Sequence, residues 1–279
     1  MADLSFFRSF TERGDRATSL DGWVVPTGAV DTLAGDDIII GTAAPGAGLS
    51  GIDIYRTSTL NTSSGNDRIE GTGASGGGYG INNSGTINTG ISSGTRVDND
   101  TITGVGRIGI YNTGIILTGI GSDVIFGTMA TGGPGITNFG RIDTGDGDDF
   151  ITGSTNTSGV DGIGNNRGII NTGTGNDTIR GRGRYYGITN DGTIDTGTGD
   201  DSIIGGGSGV TAGINNNGGT INTGAGNDRI TGTPTGTAGI HGVYNGGTID
   251  TGADNDIIDG SGIVEYIRRL NAFVRSLDD

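Results

Sequence analysis

The sequence predicts an all-β chain: a single-stranded parallel β-solenoid (β-helix) of about nine coils with short terminal helical or capping segments. Three observations carry that expectation. A phrase reading INTGTGNDTIRG at 170–181 returns as IDTGTGDDSIIG at 194–205 and as INTGAGNDRITG at 221–232. Anchored on its last aspartate, it recurs at Asp37, Asp67, Asp100, Asp123, Asp149, Asp177, Asp201, Asp228 and Asp256, with a mean interval of about 27 residues. The chain also holds 62 Gly among 279 residues and only 31% apolar residues. Without a period such a composition reads as disorder; with one it reads as a repeat architecture.

One unit reads G-I-x-N-x-G-x-I-x-T-G-x-G-x-D-x-I-x-G, followed by a variable stretch. Period-2 alternation puts Ile188, Asn190, Gly192, Ile194 and Thr196 on one face and Thr189, Asp191, Thr193 and Asp195 on the other. Beyond the turn, Asp201, Ile203 and Gly205 share a face, so the aspartate heads inward with the isoleucine. Each coil then carries about three short strands that stack on the next coil at about 4.8 Å, giving a core about 43 Å long. The inward asparagines (Asn83, Asn112, Asn138, Asn166, Asn190 and Asn245) are expected to form a ladder of stacked amides. Segments 1–30 and 261–279 flank the solenoid of residues 31–260. The first serves as an N-terminal cap or docking segment. The second is an amphipathic helix serving as cap, docking element or secretion signal.

Stacked coils also stack the aspartates. Carboxylates about 5 Å apart repel by roughly 1 kcal/mol in water and by several times more in a protein interior. Calcium answers that repulsion, because it takes six to eight oxygens from carboxylates and turn carbonyls. The expected ligands are Asp67, Asp123, Asp149, Asp177, Asp201, Asp228 and Asp256, with Gly147, Gly175, Gly199 and Gly226 supplying carbonyls. The regions Ala34–Asp37 and Ile91–Asp100 depart furthest from the pattern. A second reading stays open, since Gly-Asn-Asp is an ordinary turn former whose Asp can face water or arginine instead of metal.

The segments GTGNDTI (173–179), GTGDDSI (197–203) and GAGNDRI (224–230) resemble the G-x-G-x-D-x-[LI] turn of the repeat-in-toxin (RTX) family. The resemblance implies Ca²⁺ held between successive turns by the Asp carboxylate and glycine carbonyls. It spans residues 31–260 but departs in spacing, because family nonapeptides run in tandem. One turn per coil is closer to the calcium-dependent ice-binding adhesins. The resemblance also implies export through a type I channel by an uncleaved C-terminal signal.

The start, MADLSFFRSFTERGDR, has no basic region followed by an apolar one, so no Sec signal peptide is read there. Together these features lead us to expect an extracellular or cell-surface protein. All 16 basic residues are Arg, against 31 acidic residues and a net charge of -15, which argues against nucleic acid. Cysteine is absent, and no apolar run is long enough for a transmembrane span. The one histidine, His241, sits in a variable loop. The carboxylates belong to a repeated ladder instead of a unique pair, so no enzyme is expected.

The expected function is a structural subunit that assembles with itself, head to tail, into a filament or surface layer. Phe6, Phe7, Phe10, Ile263, Ile267, Leu270 and Phe273 are its candidate assembly residues, and cell-surface polysaccharide is a further partner. Capping is the equally available reading of the same ends. The alternative function is a monomeric calcium-dependent adhesin or ice-binding module. Ice binding needs a regular outward array, and the column Thr86, Ile115, Arg141, Ile169, Thr193, Thr220, Thr248 is interrupted midway.

Overall fold

The chain is seen in a computed structural model that describes residues 1–4, 10–46, 48–90, 97–155, 161–207, 212–234 and 241–260. Its strands are short and pair only with strands of the neighbouring coils, always in parallel. They form three sheets of ten, nine and ten strands. Face one follows each aspartate and runs from Arg16–Ser19 to Ile257–Gly260. Face two runs from Trp23–Val25 to His241–Asn245, with Ala2–Asp3 added at its start. Face three runs from Ala29–Asp31 to Thr248–Asp250. The result is a parallel β-solenoid; among the described residues there is no α-helix.

Every face sends one apolar column inward, as the alternation requires. On face one Ile102 pairs with Ile69 and Ile125, and on face two Ile110 pairs with Ile81 and Ile136. On face three Ile116 pairs with Ile87 and Ile142. All nine side chains are fully buried. At roughly 2–3 kcal/mol per buried isoleucine, these columns are the main cohesive term of the stack. The corner from face one to face two admits no side chain. At Gly127 a Cβ would come within 2.3 Å of Gly135 O and 2.5 Å of Ile136 Cγ1.

A polar column runs beside the apolar ones. Asn83 Nδ2 donates to Asn112 Oδ1, and the chain of bonds continues through Asn138, Asn165, Asn190 and Asn216 to Asn245. Two adjustments to the expected ladder follow. Asn165, not Asn166, is the inward residue in GIGNNRG, and Asn216 joins. In the first coils Val25 and Ile54 occupy the same column, so the ladder ends on apolar residues. Each interior amide also reaches a backbone carbonyl, as Asn138 Nδ2 does with Ile169 O at 3.0 Å. Asn138→Ala leaves Asn165 Oδ1 without its Asn138 donor inside the core. It is expected to cost about 2–3 kcal/mol and to lower the melting temperature by roughly 5–10 °C, read by thermal circular dichroism.

The solenoid begins earlier than the sequence pattern suggests. Arg16–Ser19, Trp23–Val25 and Ala29–Asp31 already pair with the next coil, so residues 16–30 belong to the stack rather than to a separate cap. The phrase Gly14-Asp15-Arg16 is a further copy of the turn's end, hidden because Arg-Ala-Thr-Ser replaces the usual x-Ile-x-Gly. Leu4 is fully buried, and Phe10 packs against the core. Phe6, Phe7, Ile263, Ile267, Leu270, Phe273 and the expected helix at 261–279 lie outside the described residues.

Candidate functional site: a stacked aspartate column

The repeated turn forms the edge between faces three and one. In Thr172–Asp177 both glycines take left-handed backbone conformations, with φ of 94° at Gly173 and 122° at Gly175. A Cβ at Gly175 would also lie 2.1 Å from Gly147 O, so conformation and packing exclude other residues together. Gly147, Gly199 and Gly226 repeat the geometry, with φ of 132°, 129° and 132°.

All the aspartates that end the turns face inward. Asp67, Asp100, Asp123, Asp149, Asp177, Asp201 and Asp228 are buried, as is Asp37, while Asp256 at the end of the described stack is half-buried. This removes the outward-facing alternative. Each backbone N–H donates to Oδ1 of the aspartate one coil later, from Asp15 N onto Asp37 through to Asp228 N onto Asp256, at 2.7–3.0 Å. The irregular third copy does not interrupt the series: Asp100 accepts from Asp67 N and donates to Asp123.

The preceding residue makes a second ladder of opposite direction. Asn66 N donates back to Asp36 Oδ1, Asn99 N to Asn66 and Ser122 N to Asn99; after a break at Ser122 the series resumes with Asn176 N onto Asp148, Asp200 N onto Asn176 and Asn227 N onto Asp200, at 2.7–2.8 Å on the exposed side. Two consecutive turn amides are thus satisfied by side chains, one from the coil below and one from the coil above. The Asp side chain supplies the acceptor that the turn's own carbonyls do not.

Its second oxygen is different. Oδ2 of Asp67, Asp100, Asp123, Asp149, Asp177, Asp201 and Asp228 is buried without a hydrogen-bond partner. A buried threonine of the same coil stands beside each carboxyl, but the hydroxyls of Thr62, Thr118, Thr144, Thr172, Thr196 and Thr223 donate to the threonine carbonyl of the next coil at 3.1–3.4 Å. Among the described residues, a direct threonine bond to the inner carboxyl oxygen is made by Thr32 onto Asp37 Oδ2. Burial therefore pushes the carboxyls up: Asp67 and Asp201 to about 7, Asp100 and Asp149 to about 8. Contacts with the threonine and the amide pull back, and the neighbouring aspartates push further. Asp37, Asp123, Asp177 and Asp228 move in the same direction.

Unpartnered carboxyl oxygens in a dry column require a proton or a cation. The donor set is oxygen throughout, the class that calcium takes, and one orphan Oδ2 per coil faces the stack. In chemistry these residues fit the ion. Carboxylates alone do not complete its shell: no three acidic or histidine side chains converge among the described residues. Any calcium there would need threonine or glycine oxygens as well. Alternation places the threonine of each T-G-x-G-x-D phrase inward, as at Thr196, but its position beside the carboxyl, the extra copy at Asp15 and the outer ladder do not follow from the sequence pattern.

No family model, curated protein or solved structure matches this chain. No described helix is long and apolar enough to cross a membrane.

Proposed function

We propose that the protein is a non-catalytic structural rod of the RTX-like, exported kind, stiffened by calcium along its aspartate column. In this reading copies join head to tail into an extracellular filament or surface layer. Asp67, Asp100, Asp123, Asp149, Asp177, Asp201 and Asp228 would contribute carboxylate oxygens, and Gly147, Gly175, Gly199 and Gly226 would contribute carbonyls. Bound there, calcium neutralises the buried charge and ties adjacent coils together.

The observation that supports assembly is the state of the last coil. Ile258 continues the buried column of Ile230 but is 36% exposed, and Ile257 beside it is 51% exposed. The strands His241–Asn245, Thr248–Asp250 and Ile257–Gly260 each end a sheet among the described residues, and unpaired strand edges of this kind are where a stack can continue. A second copy placed there would extend the same columns. At the opposite end Leu4 is buried and Phe10 packs against the core, and a head-to-tail contact would join that surface to the Ile258 end as a heterologous interface.

Electron microscopy of the purified full chain, with calcium and after chelation, tests the proposal. Filaments that form with calcium and disperse on chelation are the expected result. Isolated rods about 43 Å long in both conditions would rule out assembly and favour a monomeric module. The ice-binding version of that alternative has little support, since the outward column of face three runs Thr86, Ile115, Arg141, Ile169, Thr193 in register.

A further inference from the structure

The outward surface of face one carries a cationic notch on an otherwise acidic protein. Arg180 and Arg182 lie two residues apart on the strand Thr178–Gly183 and both face outward. Three other strand arginines have an acidic partner, Arg68 with Glu70 and Arg141 with Asp143 at the same spacing and Arg229 with Asp259 across coils. Here the i+2 position is a second arginine, and the cross-strand neighbours are Thr152, Ile204, Ser154 and Gly206. Neither guanidinium has an ion pair with a described residue, and Arg180 Nε is buried with no hydrogen-bond partner. Two like charges side by side on one strand face are unfavourable unless an anion lies between them.

Gly206 makes room for one. Its column otherwise reads Val105, Thr128, Ser154, Arg182 and Thr233, so the glycine alone leaves a gap in the surface. The nearest atom to a Cβ built there is Thr233 Oγ1, at 3.8 Å. The resulting cavity of about 330 Å³ is lined by Arg180, Arg182, Thr155, Thr233, Ile204 and Gly206.

We propose that this notch binds a uronic acid residue of an acidic polysaccharide. The guanidinium pair takes the carboxylate, a planar group that arginine holds in two-pronged fashion. The hydroxyls of Thr155 and Thr233 donate to Arg182 O and Gly205 O and keep lone pairs to accept from sugar hydroxyls, and Ile204 offers an apolar surface to the C–H side of the ring. The positive charge is local: Arg180 and Arg182 line the notch, and Arg184 just beyond the strand stacks on Tyr185 instead. That suits a single carboxylate on a hydroxylated body and does not suit the long basic stripe that nucleic acid needs. The site lies on face one, away from the turn column, and stands independently of calcium and of assembly.

Calorimetric titration of the full chain with trigalacturonate tests it, alongside the methyl ester of that sugar and sodium sulfate. Wild type is expected to bind trigalacturonate saturably, more weakly as salt is raised, and not to bind the ester. Arg182→Gln should weaken binding at least about tenfold. Gly206→Val should do the same by filling the notch with both arginines in place, and valine is favoured in a strand. Circular dichroism identifies a variant that fails to fold; the other then decides. Absence of saturable binding by wild type at millimolar sugar, or unchanged affinity in a folded variant, overturns the site. Sulfate binding as tightly as trigalacturonate overturns the sugar assignment.

Discussion

Stripped of divalent cations, the protein is expected to lose thermal stability steadily from about pH 5 to about pH 9, and calcium is expected to restore it mainly at the upper end. The cause lies in the raised carboxyls. Asp67 and Asp201 titrate near 7 and Asp100 and Asp149 near 8 when folded, because burial opposes their charged form. In the unfolded chain the same groups titrate near the ordinary value of about 4. Between these limits the folded state holds protons that the unfolded state has released. Their contribution is complete below the unfolded pKa and disappears as pH rises through 7 to 8. Several such groups acting together should separate the two extremes by at least about 10 °C, at about 2–4 °C per kcal/mol for a chain of this size. Calcium competes with those protons, so its stabilisation should be small near pH 5 and large near pH 9. Differential scanning calorimetry in chelator and in calcium reads both curves. A metal-free melting temperature that is flat or rises over this range would mean that the column stays charged when folded.

Asp149→Asn and Asp149→Leu are expected to behave oppositely in the metal-free protein above pH 8. The asparagine side chain would keep an oxygen for the Asp123 amide, a bond of 2.8 Å in the native chain, while removing a charge that the interior disfavours. The melting temperature of that variant should rise. Leucine removes the acceptor and leaves a buried amide unsatisfied, at a cost of about 2–4 kcal/mol in any buffer. With calcium the asparagine variant should fall below wild type, because one side chain borders two gaps and both lose a ligand. A calcium-induced rise in melting temperature as large in Asp149→Asn as in wild type would place the ion elsewhere.

Much of this architecture is legible in the residues themselves. Ile188, Asn190, Ile194 and Thr196 alternate with polar partners, and that period alone sets the inward faces. Glycine at 173 and 175 marks the corner because no other residue tolerates both the backbone angle and the neighbouring carbonyl. What could not be read is where local chemistry gives two answers. Asn165 and Asn166 are adjacent and identical, so only the strand register decides which one points inward. Asp15 sits before a strand with no isoleucine, which hid the first turn. The most consequential gap concerns the aspartate. Stacking predicted that its charge needs an answer, but not that one of its oxygens already serves as the acceptor for a backbone amide. That bond exists only between coils, and no single repeat contains it.

The asparagine ladder has a consequence for the rod as a whole. Backbone groups in a sheet alternate in direction and their dipoles largely cancel. The six bonds that link the side-chain amides from Asn83 to Asn245 do not alternate: in each an N–H points toward the C-terminal coil and the accepting C=O toward the N-terminal one. Aligned this way they add, as peptide units do along a helix. The interior therefore carries a permanent electric polarity along the axis, positive toward the C-terminal end, and the molecule has a direction in a field as well as in sequence.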